Sequence, residues 1–257
     1  MSQIHESARR GFSTEAESYA RGRPEYPGVL AAWLADELGA APGRRVVDVG
    51  AGTGKFTKLL VGSGATVLAV EPVEAMRQQL MRSLPGVAAR DGTAEAMPVE
   101  TGTADAITCA QAFHWFASEA ALAEVHRVLR PGGRLGLVWN VRDESVDWVA
   151  RLTEIITPYE GDAPRFHTGD WRRAFAVSRY FELPPPSRFV HEHVGTPQEV
   201  IVDRFLSVSF IAALSPQRKA DVERQLRELI ATHPALRGRD RLAFPYVTEA
   251  YCCLRLA

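Results

Sequence analysis

What this 257-residue chain lacks narrows its chemistry first. Cysteine is scarce, with Cys109 inside an apolar run and Cys252 and Cys253 adjacent. That pattern offers neither a disulfide framework nor a metal-ligand spacing, so no metal is expected and the three thiols read as packing residues. No apolar run approaches the ~20 residues of a membrane span, and the N-terminus lacks the basic-then-apolar layout of a secretion signal. The expectation is a cytoplasmic protein with no membrane partner. The formal net charge is only −1, so no global positive field draws the chain to nucleic acid. Lysine occurs only at 55, 58 and 219, and none has tyrosine four residues before it, which removes the Tyr-x-x-x-Lys pair of many nicotinamide-dependent oxidoreductases. Internal repeats and low-complexity tracts are also missing. The 46% hydrophobic and 24% charged content is ordinary for a globular protein. The length suits one large α/β domain with an inserted cap.

What is present centres on Val46-Val47-Asp48-Val49-Gly50-Ala51-Gly52-Thr53-Gly54-Lys55-Phe56-Thr57, a β-branched run that breaks into three alternate glycines and then a helical pattern. Glycines allow torsions closed to other residues and remove the Cβ atoms that would hold a ligand away from the main chain. A dinucleotide fingerprint would need its third glycine at Lys55; a P-loop would need glycine at Val49 and Ser or Thr at Phe56. Both fail. Helical periodicity covers 27–39, with Leu30, Trp33, Leu34 and Leu38 on one face, then about 55–61 and 74–84. Strands are expected at 66–70, near 87–90, at 104–110 and at 134–139. A helix over 118–130 ends at Pro131-Gly132-Gly133. This alternation predicts a doubly wound, mostly parallel sheet with its ligand beyond one edge. Further helices are expected at 145–157, 197–206 and after Ser215-Pro216, with strands at 188–194 and 246–254.

The acidic residue, the G-x-G-x-G turn and a second acidic residue closing the next strand at Glu71 resemble the Rossmann-like S-adenosylmethionine-dependent methyltransferases. Arg127-Val128-Leu129-Arg130-Pro131-Gly132-Gly133-Arg134-Leu135 looks like the helix-turn-strand that follows the active site in that family. The resemblance implies a seven-stranded sheet with an antiparallel C-terminal edge, an N-terminal helical lid over 1–40 and substrate-cap insertions at 145–180 and 195–240. S-adenosylmethionine is the implied cofactor, with S-adenosylhomocysteine as product. Glu71 then accepts from both ribose hydroxyls, beside Gly50, Gly52, Gly54 and Pro72. Two roles are open for Asp48: ordering the glycine turn through backbone N–H groups, or meeting the amino-acid end of the cofactor. Gly92-Thr93-Ala94-Glu95-Ala96-Met97-Pro98 resembles the adenine-binding turn, with Thr93 where an acid is common and Asp91 or Glu95 able to substitute. Met76 is expected along the adenine face.

Cys109-Ala110-Gln111-Ala112-Phe113-His114-Trp115-Phe116 follows the fourth strand and so faces the reacting methyl group, with Gln111 grouped with the cofactor site. The Asn/Asp-Pro-Pro-Tyr/Phe tetrapeptide of DNA-amine methyltransferases is absent there, which argues against nucleic acid as a partner. The His-Trp pair, Phe12, Tyr19, Arg23-Pro24-Glu25-Tyr26-Pro27 and Trp139-Asn140 resemble the small-molecule branch that includes trans-aconitate and ubiquinone/menaquinone-type enzymes. That resemblance implies in-line methyl transfer to a small acceptor, a carboxylate or a hydroxyl. His114 would be the general base for a hydroxyl or the orienting group for a carboxylate, with Phe12, Tyr19, Arg23, Trp115, Trp139 and Asn140 at the substrate. The rival readings are a nicotinamide-dependent oxidoreductase and a cofactor-binding protein without methyl transfer.

Overall fold

The computed structural model describes residues 23–256. Phe12, Tyr19 and most of the expected lid therefore lie outside the described residues. The elements are α1 (Leu30–Asp36), β1 (Arg45–Val49), α2 (Lys55–Gly62), β2 (Thr66–Val70), α3 (Glu74–Ser83), β3 (Ala88–Arg90), β4 (Ala104–Ala110), α4 (Glu119–Val128) and β5 (Leu129–Arg142). There follow α5 (Asp147–Ile156), α6 (Arg173–Ala176), β6 (Ser187–Gly195), α7 (Arg204–Leu206), α8 (Ser209–Ala212), α9 (Pro216–Thr232) and β7 (Leu242–Leu254). Among the described residues no helix is long and apolar enough to cross a membrane.

Seven strands form one sheet in the order β3-β2-β1-β4-β5-β7-β6. The first five are mutually parallel; β7 runs antiparallel to β5 and to β6. This is the architecture the sequence predicts. Strands covered on both faces read as continuous apolar runs, and successive residues of β1 and β2 enter different clusters. Val46 and Val67 pack with Leu30, Trp33, Leu34, Phe56 and Leu60 of α1 and α2, whereas Val47 and Leu68 pack with Leu122 and Val125 of α4. Full burial of such side chains contributes roughly 1.5–3 kcal/mol each.

Some boundaries differ from expectation. Helix α4 stops at Val128, and the strand begins at Leu129, whose ψ of 136° is already extended. Pro131 disfavours helical torsions in the residue before it, so Pro131-Gly132-Gly133 lies within the strand's irregular start, where the β4–β5 register shifts. The segment 145–180 also divides. Trp148, Val149, Leu152 and Ile156 join a separate apolar cluster with Val200, Phe205, Val222 and Leu226, while Trp171, Ala174 and Phe175 belong to the core of the sheet. Within the expected helix 197–206, residues Gln198–Asp203 form a π-helical turn.

Gly54 shows how closely the start of α2 is packed. Its φ is +89°, and an added Cβ would stand 2.9 Å from Leu80 Cγ and 3.2 Å from Leu84 Cδ1. We expect Gly54→Ala to lower unfolding free energy in urea by about 1–3 kcal/mol, from left-handed strain and overpacking together. An unchanged midpoint would show that Leu80 and Leu84 yield without cost.

Candidate active site

Between β1 and β4 the strand order reverses, which opens a crevice beyond their C-terminal ends. The glycine turn enters it directly from β1, and its first amide, Gly50 N–H, donates to Val70 O at 2.8 Å. Gly50 and Gly52 have φ of +67° and +56°. A Cβ on Gly50 would lie 2.8 Å from Ala112 Cβ, so glycine permits the close approach of this turn to the segment after β4.

Glu71, at the end of β2, is buried and lines the same cleft. Its carboxylate accepts from Gly52 N–H at 2.9 Å and from Val73 N–H, at the start of α3, at 2.8 Å. Desolvation raises its pKa, against the opposing effect of those two backbone donors and of Arg77. A carboxylate has about four lone-pair sites; two are engaged by backbone, and the others remain for ligand hydroxyls. Pro72, Met76, Thr93, Ala94 and Glu95 continue the wall on one side. Asp91 is drawn off by Arg77, 3.4 Å away, which leaves Glu95 as the acid near the expected adenine turn. On the other side stand Gln111, Trp115, Asn140 and Arg23. Gln111 has a φ of +58°, the one non-glycine left-handed residue among those described, and its side chain donates to Asn140 O at 3.1 Å. Such torsional strain is characteristic of functional sites.

Four expected site residues lie elsewhere. Asp48 does not line the cleft and bonds no backbone N–H: fully buried, it accepts hydrogen bonds from the Thr57 and Thr108 hydroxyls at 2.7 and 2.8 Å. Both roles weighed for it are replaced by a clamp between α2 and β4. Gly54 is likewise a packing glycine outside the lining. Trp139 sits in the core, with ring centroids 4.6 Å from Trp171 and 4.8 Å from Phe166, and does not reach the cleft. His114 is also outside the lining, and its Nδ1 lies 3.1 Å from Trp139 Nε1. Indole N–H only donates, so Nδ1 is the acceptor and the proton of the neutral ring is on Nε2. Desolvation, then the charges of Arg165 and Arg23, lowers the His114 pKa to about 3. With its basic nitrogen occupied and its basicity so reduced, His114 is not placed to act as a general base.

Sequence reading also missed parts of the wall, including Tyr26, Lys55, Phe56, Phe116 and Arg204. Lys55 Nζ donates to Arg23 O and Glu25 Oε1 at 2.7 and 2.8 Å, tying the entering chain to the glycine turn. Its position directly after Gly54 was the available signal. Arg204 had none, because it arrives from a distant segment.

The lining suits an adenosyl ligand: a turn that lacks Cβ atoms at Gly50 and Gly52, a buried carboxylate with acceptor sites to spare, and Met76 with Ala94 for an apolar ring. A doubly wound sheet carrying this cleft defines the Rossmann-like class of S-adenosylmethionine-dependent methyltransferases. Comparison with known proteins agrees. The family described as "Methyltransferase domain" matches residues 47–137. An uncharacterized methyltransferase of Mycobacterium tuberculosis is 42% identical over 243 residues, 92% of each chain. An uncharacterized methyltransferase-like protein of Schizosaccharomyces pombe is 35% identical over 246 residues, 93% of each. A solved structure described as a type II methyltransferase candidate from Anaeromyxobacter dehalogenans shares the fold, with a TM-score of 0.65 at 24% identity, covering 91% of this chain and 96% of that one. The chain belongs to this methyltransferase family and is an S-adenosylmethionine-dependent enzyme, and the nicotinamide reading falls away.

Glu71→Gln should weaken S-adenosylhomocysteine binding by 1–3 kcal/mol, roughly 5- to 150-fold, in calorimetric titration. An unaltered affinity would remove the ribose role. Asp48 gives a separate prediction in pH. Burial raises its pKa to about 6 against the opposing bonds from Thr57 and Thr108. The folded state thus holds its proton more tightly than the unfolded chain does, and stability declines as pH rises from about 4 to about 6. Asp48→Asn should lack that decline while binding S-adenosylhomocysteine within about threefold of the parent; parallel pH–stability curves for the two proteins would contradict the buried-carboxylate assignment. For His114, proton NMR should show no titration of the ring between pH 8 and 5, and a midpoint near 6.5 would return it to the candidates for a base.

Proposed function

We propose that the enzyme methylates a small-molecule acceptor, and that the acceptor atom is a carboxylate oxygen rather than a hydroxyl. The observation that carries the preference is the His114–Trp139 hydrogen bond, which occupies the nitrogen a hydroxyl acceptor would need as its base. Bound S-adenosylmethionine supplies a methyl group on a positively charged sulfur, and the acceptor oxygen forms its O–CH3 bond as the S–CH3 bond breaks and leaves its electron pair on sulfur. An ionised carboxylate can do this with no proton to lose. What the chain must then supply is alignment and exclusion of water.

Gln111 and Asn140 frame the far wall of the cleft, with Asn140 fixed by Thr248, whose hydroxyl donates to Asn140 Oδ1 at 2.6 Å, and by its own Nδ2, which donates to Glu25 O at 3.3 Å. Trp115 and Phe116 supply apolar surface nearby. We assign the cap to α5 together with residues 196–241, whose apolar cluster closes on Leu242, Phe244 and Tyr246 at the start of β7. The segment from Arg23 to α1 serves as part of a lid. A net charge of −1 suits a cytoplasmic enzyme that acts on neither nucleic acid nor lipid.

Incubation with methyl-labelled S-adenosylmethionine and panels of carboxylic acids, alcohols and phenols tests the reading. A methyl ester product would release its label as methanol in mild alkali. Base-stable label on a phenol or alcohol would overturn the carboxylate preference; bound cofactor that never loses its methyl group to any acceptor would favour a protein that holds the cofactor without transferring from it.

A further inference from the structure

Next to the cleft, α7 and the ends of β5 and β7 bury more positive charge than they neutralise. Arg204 is 6% exposed, lines the cleft and follows the π-helical turn Gln198–Asp203, a distortion common at functional sites. Its Nε donates to Tyr246 Oη at 3.2 Å, but its Nη1 is buried without a hydrogen-bond partner. Arg142, opposite Tyr246 in the β5–β7 register, holds its guanidinium 5.0 Å above the ring of Phe205, the residue after Arg204. Its Nη1 is also buried and unpartnered. The nearest acid to it is Glu144 at 3.8 Å, which is half-exposed. Arg165 completes the group, 4.9 Å above the Phe210 ring and 2.9 Å from Glu160.

Desolvation, and then repulsion from Arg204, lowers the Arg142 pKa to about 10, and burial with the same neighbour depresses Arg165. Three guanidinium groups thus face two carboxylates. Buried like charges with unsatisfied donors cost stability, and a chain gains from them only when something anionic completes the site. Guanidinium is the side chain suited to planar two-point contact with carboxylate or phosphate oxygens.

We propose that Arg204, supported by Arg142 and Arg165, is a specificity site for a second anionic group on the methyl acceptor, a carboxylate or a phosphate. This rests on the carboxylate reading above and extends it: the acceptor carries one oxygen to be methylated and, at its other end, a charge that Arg204 grips. The same field repels cations, and an acceptor with a single anionic group makes only one of the two contacts. Arg204 is thereby a binding residue, and Arg142 and Arg165 are positioning residues whose buried charge favours an anion beside it.

The test is calorimetric titration of the full chain, first with S-adenosylhomocysteine and then, both with and without saturating S-adenosylhomocysteine, with succinate, inorganic phosphate and butyrate as probes. We expect succinate or phosphate to bind at least tenfold more tightly than butyrate, and more weakly as salt is added. Succinate against phosphate separates the two sources of charge. Arg204→Gln and Arg142→Gln should each reduce that binding at least tenfold, leave S-adenosylhomocysteine affinity within threefold, and not lower the melting temperature, because a repulsive buried charge has gone. Dianions that bind no better than butyrate would overturn the proposal. So would a tenfold loss of S-adenosylhomocysteine affinity in Arg204→Gln, which would make Arg204 a partner of the cofactor's own carboxylate, or a lowered melting temperature with dianion binding intact, which would make it structural. Failure of S-adenosylhomocysteine to bind the parent protein would instead strike the cofactor reading and leave the dianion arm to be judged alone.

Discussion

A carboxylate sealed from water holds the active end of this sheet in place. Asp48 lies in β1, and Thr57 on α2 and Thr108 on β4 both point their hydroxyls at it. The two bonds lock α2 and the neighbouring strand β4 to β1 beside the glycine turn. A buried carboxylate without partners would be costly, so α2 and β4 can pack here only in the arrangement that satisfies it. Glu71 acts in series with it. By accepting from Gly52 and Val73, it fastens the turn to the start of α3 and is itself aimed at the cleft.

A second constraint comes from the aromatic layer behind the site. Trp139, Trp171, Phe166 and Tyr251 stack or meet edge to face, and Phe113 joins through Trp171. Trp139 has one polar atom to satisfy, and His114 satisfies it. The histidine is therefore consumed by the core that supports the cleft, and the wall of the cleft at this point is left to Gln111, Trp115 and Phe116. That is why we propose an acceptor already ionised: a wall with little basicity beside surplus guanidinium charge would suit it.

Much of the architecture was legible because parallel strands buried on both faces leave unambiguous apolar runs. Thr66–Val70 and Ala104–Ala110 fall where their patterns place them, and Glu71 follows its strand into the cleft. The site was legible where it is local: Gly50, Gly52, Pro72, Thr93, Ala94 and Glu95 lie within the turns that follow consecutive strands, and Met76 in the first turn of α3. It was illegible where neighbours come from afar. Nothing near Trp139 indicates that Trp171 will enclose it, and nothing near Arg204 indicates that Arg142, on another element, will be buried over the neighbouring Phe205 ring.

By itself the sequence determined the sheet, the glycine turn and the acid that closes β2, because period, glycine spacing and strand ends are properties of contiguous residues and of backbone torsion. Only the tertiary structure decided which polar side chains are free to meet a ligand. Asp48, His114 and Arg204 are all ionisable residues of a plausible active site, yet two are spent on Thr57, Thr108 and Trp139, while the third reaches the cleft with a donor to spare. That division is set by hydrogen-bond satisfaction among groups distant in the chain, which no local pattern encodes.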